Sequence, residues 1–138
     1  MRESETAMSL DLLNAHPLPF AQTLGIAYVS ADADGVVAQM KVRPDLCTLG
    51  GVCHGGAIMS FADTLGGAAS FLGLSAEARG TTTLESKTNF ISGAPVGAVL
   101  MGRCAIVHRG RRTQVWQTRI ETSEGKLVAL TTQTQMTM

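Results

Sequence analysis

Residues 54–73 read HGGAIMSFADTLGGAASFLG, and Asp63 is the only ionisable side chain between Gly55 and Leu74. The run reads as one helix over about 55–72, with Gly73 as its C-terminal stop. It is long enough to span a bilayer. However, it carries Asp63 and five glycines (Gly55, Gly56, Gly66, Gly67, Gly73), and it lacks basic flanks or interfacial aromatics. A buried helix in a soluble protein fits better.

The flanking sequence supplies the partners of that helix. On its N-terminal side, residues 8–24 read as a short helix followed by a second turn after Pro17 and Pro19. Residues 25–30 read as a first strand, and Ala31-Asp32-Ala33-Asp34-Gly35 as a turn. Val36, Ala38, Met40 and Val42 alternate with Val37, Gln39, Lys41 and Arg43, the pattern of a half-buried strand. Residues 44–53 read as a loop. On the C-terminal side, residues 81–92, 97–109, 113–121 and 127–138 read as strands, broken by Gly93-Ala94-Pro95, by the HRGRR turn and by the hairpin turn Ser123-Glu124-Gly125-Lys126. The order β-β-α-β-β-β-β predicts an α+β fold, with one helix packed on a largely antiparallel sheet. Residues 1–138 form a single domain in this reading, with 1–24 as a helical lead-in. There is no internal repeat, low-complexity segment or linker.

Composition narrows the function. The chain has 138 residues, 45% of them hydrophobic and 16% charged, which suits a filled globular core. A formal net charge of zero gives no electrostatic footprint for nucleic acid or an anionic membrane. Cys47, Cys53 and Cys104 form no CxxC pair, and their odd number argues against a disulfide framework. The first residues, MRESETAMSL, lack the apolar core of a secretory signal. These features imply a reducing cytoplasm.

Two features of the helix carry chemistry. A Gly-Gly start leaves the first backbone N–H groups unpaired, lets a ligand approach closely and presents the positive end of the helix dipole. Such a start serves an anion or a carbonyl oxygen gaining charge, or it is simply a tight turn. Asp63 has no Lys, Arg or His within four residues. Either Ser60, Thr64 or a strand hydroxyl satisfies it, or it acts as a general base or nucleophile in a desolvated cleft. Gly55 and Asp63 are eight residues apart, roughly 12 Å along a helix axis. One helix cannot bring both to one reacting carbonyl. If both act, each comes from a different subunit, which predicts a two-fold dimer with two shared sites.

The pattern Gly51-x-x-His54-Gly55-Gly56, with Asp63 nine residues after the histidine, resembles the hotdog-fold acyl-CoA thioesterases of the phenylacetate-degradation (PaaI) type. TTTLESKTNFISGAP and HRGRRT fit the same family, and the resemblance runs from about residue 20 to the C-terminus. It implies a curved antiparallel sheet of about six strands wrapped around one long central helix, in dimers that pair into tetramers. It also implies hydrolysis of an acyl-CoA to free acid and CoA. No metal and no cofactor is implied beyond the coenzyme A of the substrate. The Gly55 N–H would polarise the thioester carbonyl, with Gly56 beside it. Asp63 of the other subunit would activate water or attack directly. Thr83 would help place the water or the acid, and His54 would mainly shape the loop by bonding backbone. Related sequences often carry Asn or Gln six residues before the histidine, where this chain has Thr48. A threonine there offers one O–H donor where an amide offers two N–H donors. Arg109, Gly110, Arg111 and Arg112 form a predicted turn whose guanidiniums suit the CoA phosphates or simply solvate a hairpin tip. Trp116, the only tryptophan, reads as core or interface. Two other functions fit the same residues: a hotdog hydratase or dehydratase, and a non-catalytic acyl-CoA binding module.

Overall fold

The computed structural model describes residues 2–138. Two helices, α1 (Arg2–Ala15) and α2 (Pro19–Leu24), lead into β1 (Ala27–Asp32) and β2 (Gly35–Lys41). A 3-10 turn (Pro44–Leu46) and two short strands, β3 (Cys47–Thr48) and β4 (Val52–Cys53), precede the long helix α3 (Gly55–Leu72). The chain ends in β5 (Thr81–Phe90), β6 (Val99–Arg109), β7 (Thr113–Thr122) and β8 (Leu127–Thr137). Six strands form one antiparallel sheet in the order β1-β2-β6-β7-β8-β5. The helix therefore falls between the second and third long strands and packs on one face of the sheet, the hotdog arrangement that the resemblance implied. Among the described residues, no helix is long and apolar enough to cross a membrane.

The expected α3 boundaries hold, because both ends are fixed locally. His54 has extended backbone and its side chain caps the first turn, while the Gly73 N–H bonds back to the Ser70 carbonyl. Ile58, Phe61, Ala62, Leu65, Ala68 and Ala69 bury one face of the helix. The alternation in β2 also holds: Val36, Ala38 and Met40 are buried.

The helix sits close to the sheet because each layer supplies a glycine. A Cβ at Gly66 would lie 2.1 Å from Gln133 Cδ, so the Gln133 amide occupies the space of a side chain on α3. A Cβ at Gly102 of β6 would lie 2.6 Å from Leu65 Cδ1 and 3.0 Å from Phe61 Cζ. Trp116 is 1% exposed and lies in the core.

The first helix begins at Arg2, ahead of the expected residue 8, β1 runs to Asp32, into the expected 31–35 turn, and two further features differ from the sequence reading. The expected loop 44–53 contains the β3–β4 ribbon, in which Thr48 pairs with Val52. Gly50 and Gly51, at φ +85° and +71°, supply the left-handed backbone that reverses the chain there. The second feature is a bulge in β5. Thr83 pairs with Gln135 and Glu85 with Thr134, which leaves Leu84 without an opposite residue. The bulge shifts the alternation, so Thr83 and Phe90, seven positions apart, can both face α3.

Candidate active site

The start of α3 has one uncommitted donor. His54 Nδ1 accepts from the Gly56 N–H at 2.8 Å. The His54 carbonyl accepts from the N–H groups of Ala57 (2.9 Å) and Ile58 (3.2 Å). Of the first four N–H groups of the helix, only that of Gly55 has no recorded partner among the described residues. The Gly56 N–H is thus engaged by the cap. With Nδ1 accepting that bond, the proton of a neutral His54 ring lies on Nε2. The His54 N–H in turn bonds the Leu46 carbonyl at 2.8 Å, which anchors the turn. Gly55 lies under the Phe90 ring, 3.3 Å from where its Cβ would be. Both residues line a cavity of about 370 Å³ with Cys53, Ile58 and Ile91.

Asp63 lies two turns further along the same unbroken helix. It is exposed in the single chain, so the buried setting expected for it is not supplied by its own fold. Ser60 and Thr64 do not satisfy it, because their hydroxyls bond the Gly56 and Ser60 carbonyls at 2.8 and 2.7 Å. A strand hydroxyl does: Thr83 Oγ1 donates to Asp63 Oδ1 at 3.3 Å. Gln133 Nε2 donates to the same oxygen at 3.4 Å.

Thr83 is itself held. Gln135 Nε2 donates to Thr83 Oγ1 at 2.5 Å, and Thr81 Oγ1 donates to Gln135 Oε1 at 3.1 Å. The donors run in one direction, from Thr81 through Gln135 and Thr83 to the carboxylate, so each polarises the next. The two bonds hold Oδ1, and Oδ2 has no hydrogen-bond partner among the described residues.

Gln133, Gln135 and Phe90 were missed in the sequence. A signal existed for the glutamines: Thr131, Gln133 and Gln135 alternate along β8, and all three are buried polar side chains on a strand packed against the helix. Inward polar residues in series call for partners.

The remaining predicted residues lie elsewhere. Thr48 is exposed on the ribbon. Arg109 is committed within the chain: Nη2 donates to the Ala33 carbonyl, Nη1 donates to Asp34 Oδ1 at 3.3 Å, and Cζ lies 5.9 Å from the Trp116 ring centroid. Arg111 and Arg112 are exposed on either side of the turn tip, and Gly110 bonds the Thr113 carbonyl. Arg109 Nη2 lies 3.6 Å from the Cβ position of Gly73, so the arginine turn is at the opposite end of α3 from Gly55. A second cavity, about 350 Å³ and mostly apolar, opens one turn beyond Asp63, lined by Leu13, Tyr28, Gly67, Ala68, Phe71 and Thr81.

Relatives share this architecture. Residues 50–129, more than half of the chain, match the family described as "Thioesterase superfamily". The chain is 36% identical over 104 residues to the 1,4-dihydroxy-2-naphthoyl-CoA hydrolase of Escherichia coli, covering 75% of each protein. It is 31% identical over 122 residues to the acyl-coenzyme A thioesterase PaaI of the same organism, covering 85% of this chain and 84% of that one. Its fold superposes on the crystal structure of a mutant thioesterase from Pseudomonas aeruginosa with a TM-score of 0.86 at 28% identity, covering 94% and 93% of the two chains. On these matches the chain belongs to the thioesterase superfamily, as a hotdog-fold hydrolase of the PaaI type.

Proposed function

We propose that the chain hydrolyses an acyl-CoA thioester at sites shared between two copies of itself. The Gly55 N–H of one copy polarises the thioester carbonyl as negative charge develops on its oxygen. Asp63 of the other copy acts through its free Oδ2, either as general base toward water or as nucleophile. Thr83 and Gln133 hold the acid, and His54 keeps the helix start in shape. Thr48 stands on the ribbon, at the position where the family resemblance often places an amide. The apolar cavity beyond Asp63 receives the acyl group, and exposed Arg111 and Arg112 meet the phosphates of coenzyme A.

The observation that carries this reading is the separation of the two groups. Eight residues of one rigid helix keep the free N–H and the half-bound carboxylate roughly 12 Å apart. A second copy must therefore complete each site. The exposed edge of β5, with Leu84 at 56% exposure and Phe90 at 53%, supports a partner on that side. Pairing of two such dimers gives the tetramer that the family resemblance implies, in the cytoplasm.

The test is a panel of aryl- and fatty acyl-CoA substrates with detection of free thiol, run beside Asp63→Asn and Asp63→Ala. Turnover of at least one substrate, falling about 10²–10⁴-fold in both variants, is expected. Unchanged rates in the variants would overturn the role of Asp63. Tight binding without turnover across the panel would favour the binding-module reading, and hydration of crotonyl-CoA would favour the hydratase.

A further inference from the structure

Cys47 and Cys53 stand directly opposite each other across the β3–β4 ribbon. The bond that brackets the pair runs from the His54 N–H to the Leu46 carbonyl, 2.8 Å, one residue outward on each strand. That placement makes Cys47 and Cys53 a non-hydrogen-bonded pair. In such pairs the Cα atoms are about 4.5 Å apart and the side chains lie close on the same face. A disulfide spans Cα separations of roughly 4.4–6.8 Å. Side-chain rotation alone can therefore join the two sulfurs, at the short end of the permitted range. Both thiols are free, and each makes only a sulfur contact to a carbonyl: Cys47 Sγ to Arg43 at 3.3 Å and Cys53 Sγ to His54 at 3.8 Å.

The surroundings give such a bond a consequence. β4 is clamped to the neighbouring loop, through Cys53 N–H to the Ala94 carbonyl and Val96 N–H to the Gly51 carbonyl, both 2.8 Å. β3 is short and reaches that support through its pairing with β4. It carries Thr48, and the residue after Cys53 is the His54 cap.

We propose that Cys47 and Cys53 are a reversible modification site, closing to a cross-strand disulfide on reaction with a small-molecule disulfide and reopening under excess thiol. Cys47 is half-buried and meets the reagent, whereas Cys53 is 4% exposed. The Cys47 thiolate attacks one sulfur of the reagent, the reagent's S–S bond breaks and one thiolate leaves. Cys53 then gives up its proton and attacks Cys47 Sγ, expelling the second thiolate. Two protein thiols are oxidised, and one small disulfide is reduced to two thiols. Burial, together with the neighbouring Cys47, pushes the Cys53 thiol up to about 11, so closure is the slower step and accelerates as pH rises.

The full chain is incubated with glutathione at graded oxidised-to-reduced ratios, quenched in acid, alkylated and mapped by mass spectrometry. The expected product is a loss of about 2 Da per chain, with Cys47 and Cys53 protected together, Cys104 still a thiol, and full reversal by dithiothreitol. Cys53→Ser is expected to stop at a mixed disulfide on Cys47, and Cys47→Ser to leave Cys53 unmodified while the protein is folded. Absence of the bridged species in purely oxidised glutathione, with circular dichroism showing a folded chain, would overturn the proposal. So would first modification at Cys53.

Discussion

Asp63 is gripped by one oxygen and open at the other, and that asymmetry distinguishes it from a surface aspartate. The grip makes a separable prediction. Thr83→Val keeps the shape of the side chain but removes the O–H that bonds Asp63 Oδ1. It is expected to lower kcat about tenfold at nearly unchanged KM and Tm, since Thr83 is exposed in the single chain, whereas Thr83→Ser retains the rate. Equal losses in both variants would show that the hydroxyl is not the operative group. At this scale the sequence was informative where the motif is local. The Gly-Gly helix start and the family resemblance singled out Gly55, and the isolation of its charge singled out Asp63. The sequence did not show that the Gly56 N–H bonds His54 or that Arg109 bonds the Ala33–Asp34 turn. It missed Gln133 and Gln135 because they lie 70 and 72 residues from Asp63 and meet it only through the sheet register.

At Gly66 the Gln133 amide occupies the place a side chain of α3 would take. In an exposed helix Gly→Ala stabilises by about 1 kcal/mol. Here the new Cβ would stand 2.1 Å from Gln133 Cδ, and overpacking of that kind costs about 1–3 kcal/mol. The steric cost exceeds the propensity gain, so Gly66→Ala is expected to lower Tm by several degrees in a thermal melt. A Tm at or above that of the native chain would mean that Gln133 moves aside at little cost. The long elements were legible because caps and alternation are written into them: His54 and Gly73 bound α3, and Val36, Ala38 and Met40 mark β2. The ribbon and the bulge at Leu84 were not. Two-residue strands have no period to read, and a bulge shows only once its partner strand is known. The bulge nevertheless determines that Thr83 reaches Asp63 while Phe90 covers Gly55.

At the scale of the whole molecule, the shared-site proposal predicts complementation between two inactive chains. Proline is favoured at the first position of a helix, where it lacks only the N–H that the helix does not use. His54, at φ −64° and ψ 136°, already has the backbone that a following proline requires. Gly55→Pro thus deletes the free donor and keeps the helix start, with the half-exposed Phe90 ring giving way by a few tenths of an ångström to the new Cβ. It is expected to lower kcat about 10²–10³-fold. Unfolded together and refolded as mixed dimers with Asp63→Asn, it should regain activity. Each mixed dimer contains one intact site and one doubly defective site, so a random mixture returns roughly a quarter of the native rate. A site contained within one chain returns nothing. The β5 edge gives this arrangement a further consequence. In one chain that strand pairs only with β8, and Leu84, Phe90 and Ile91 stand more than half exposed along it or just beyond it. Lys87, Glu85 and the bulge at Leu84 blunt the open edge against unplanned strand addition, while Leu84 and Phe90 leave apolar surface on it. Under the shared-site proposal, a chain kept from its partner bares Leu84 and Phe90 at the moment it loses turnover, so one separation accounts for both changes.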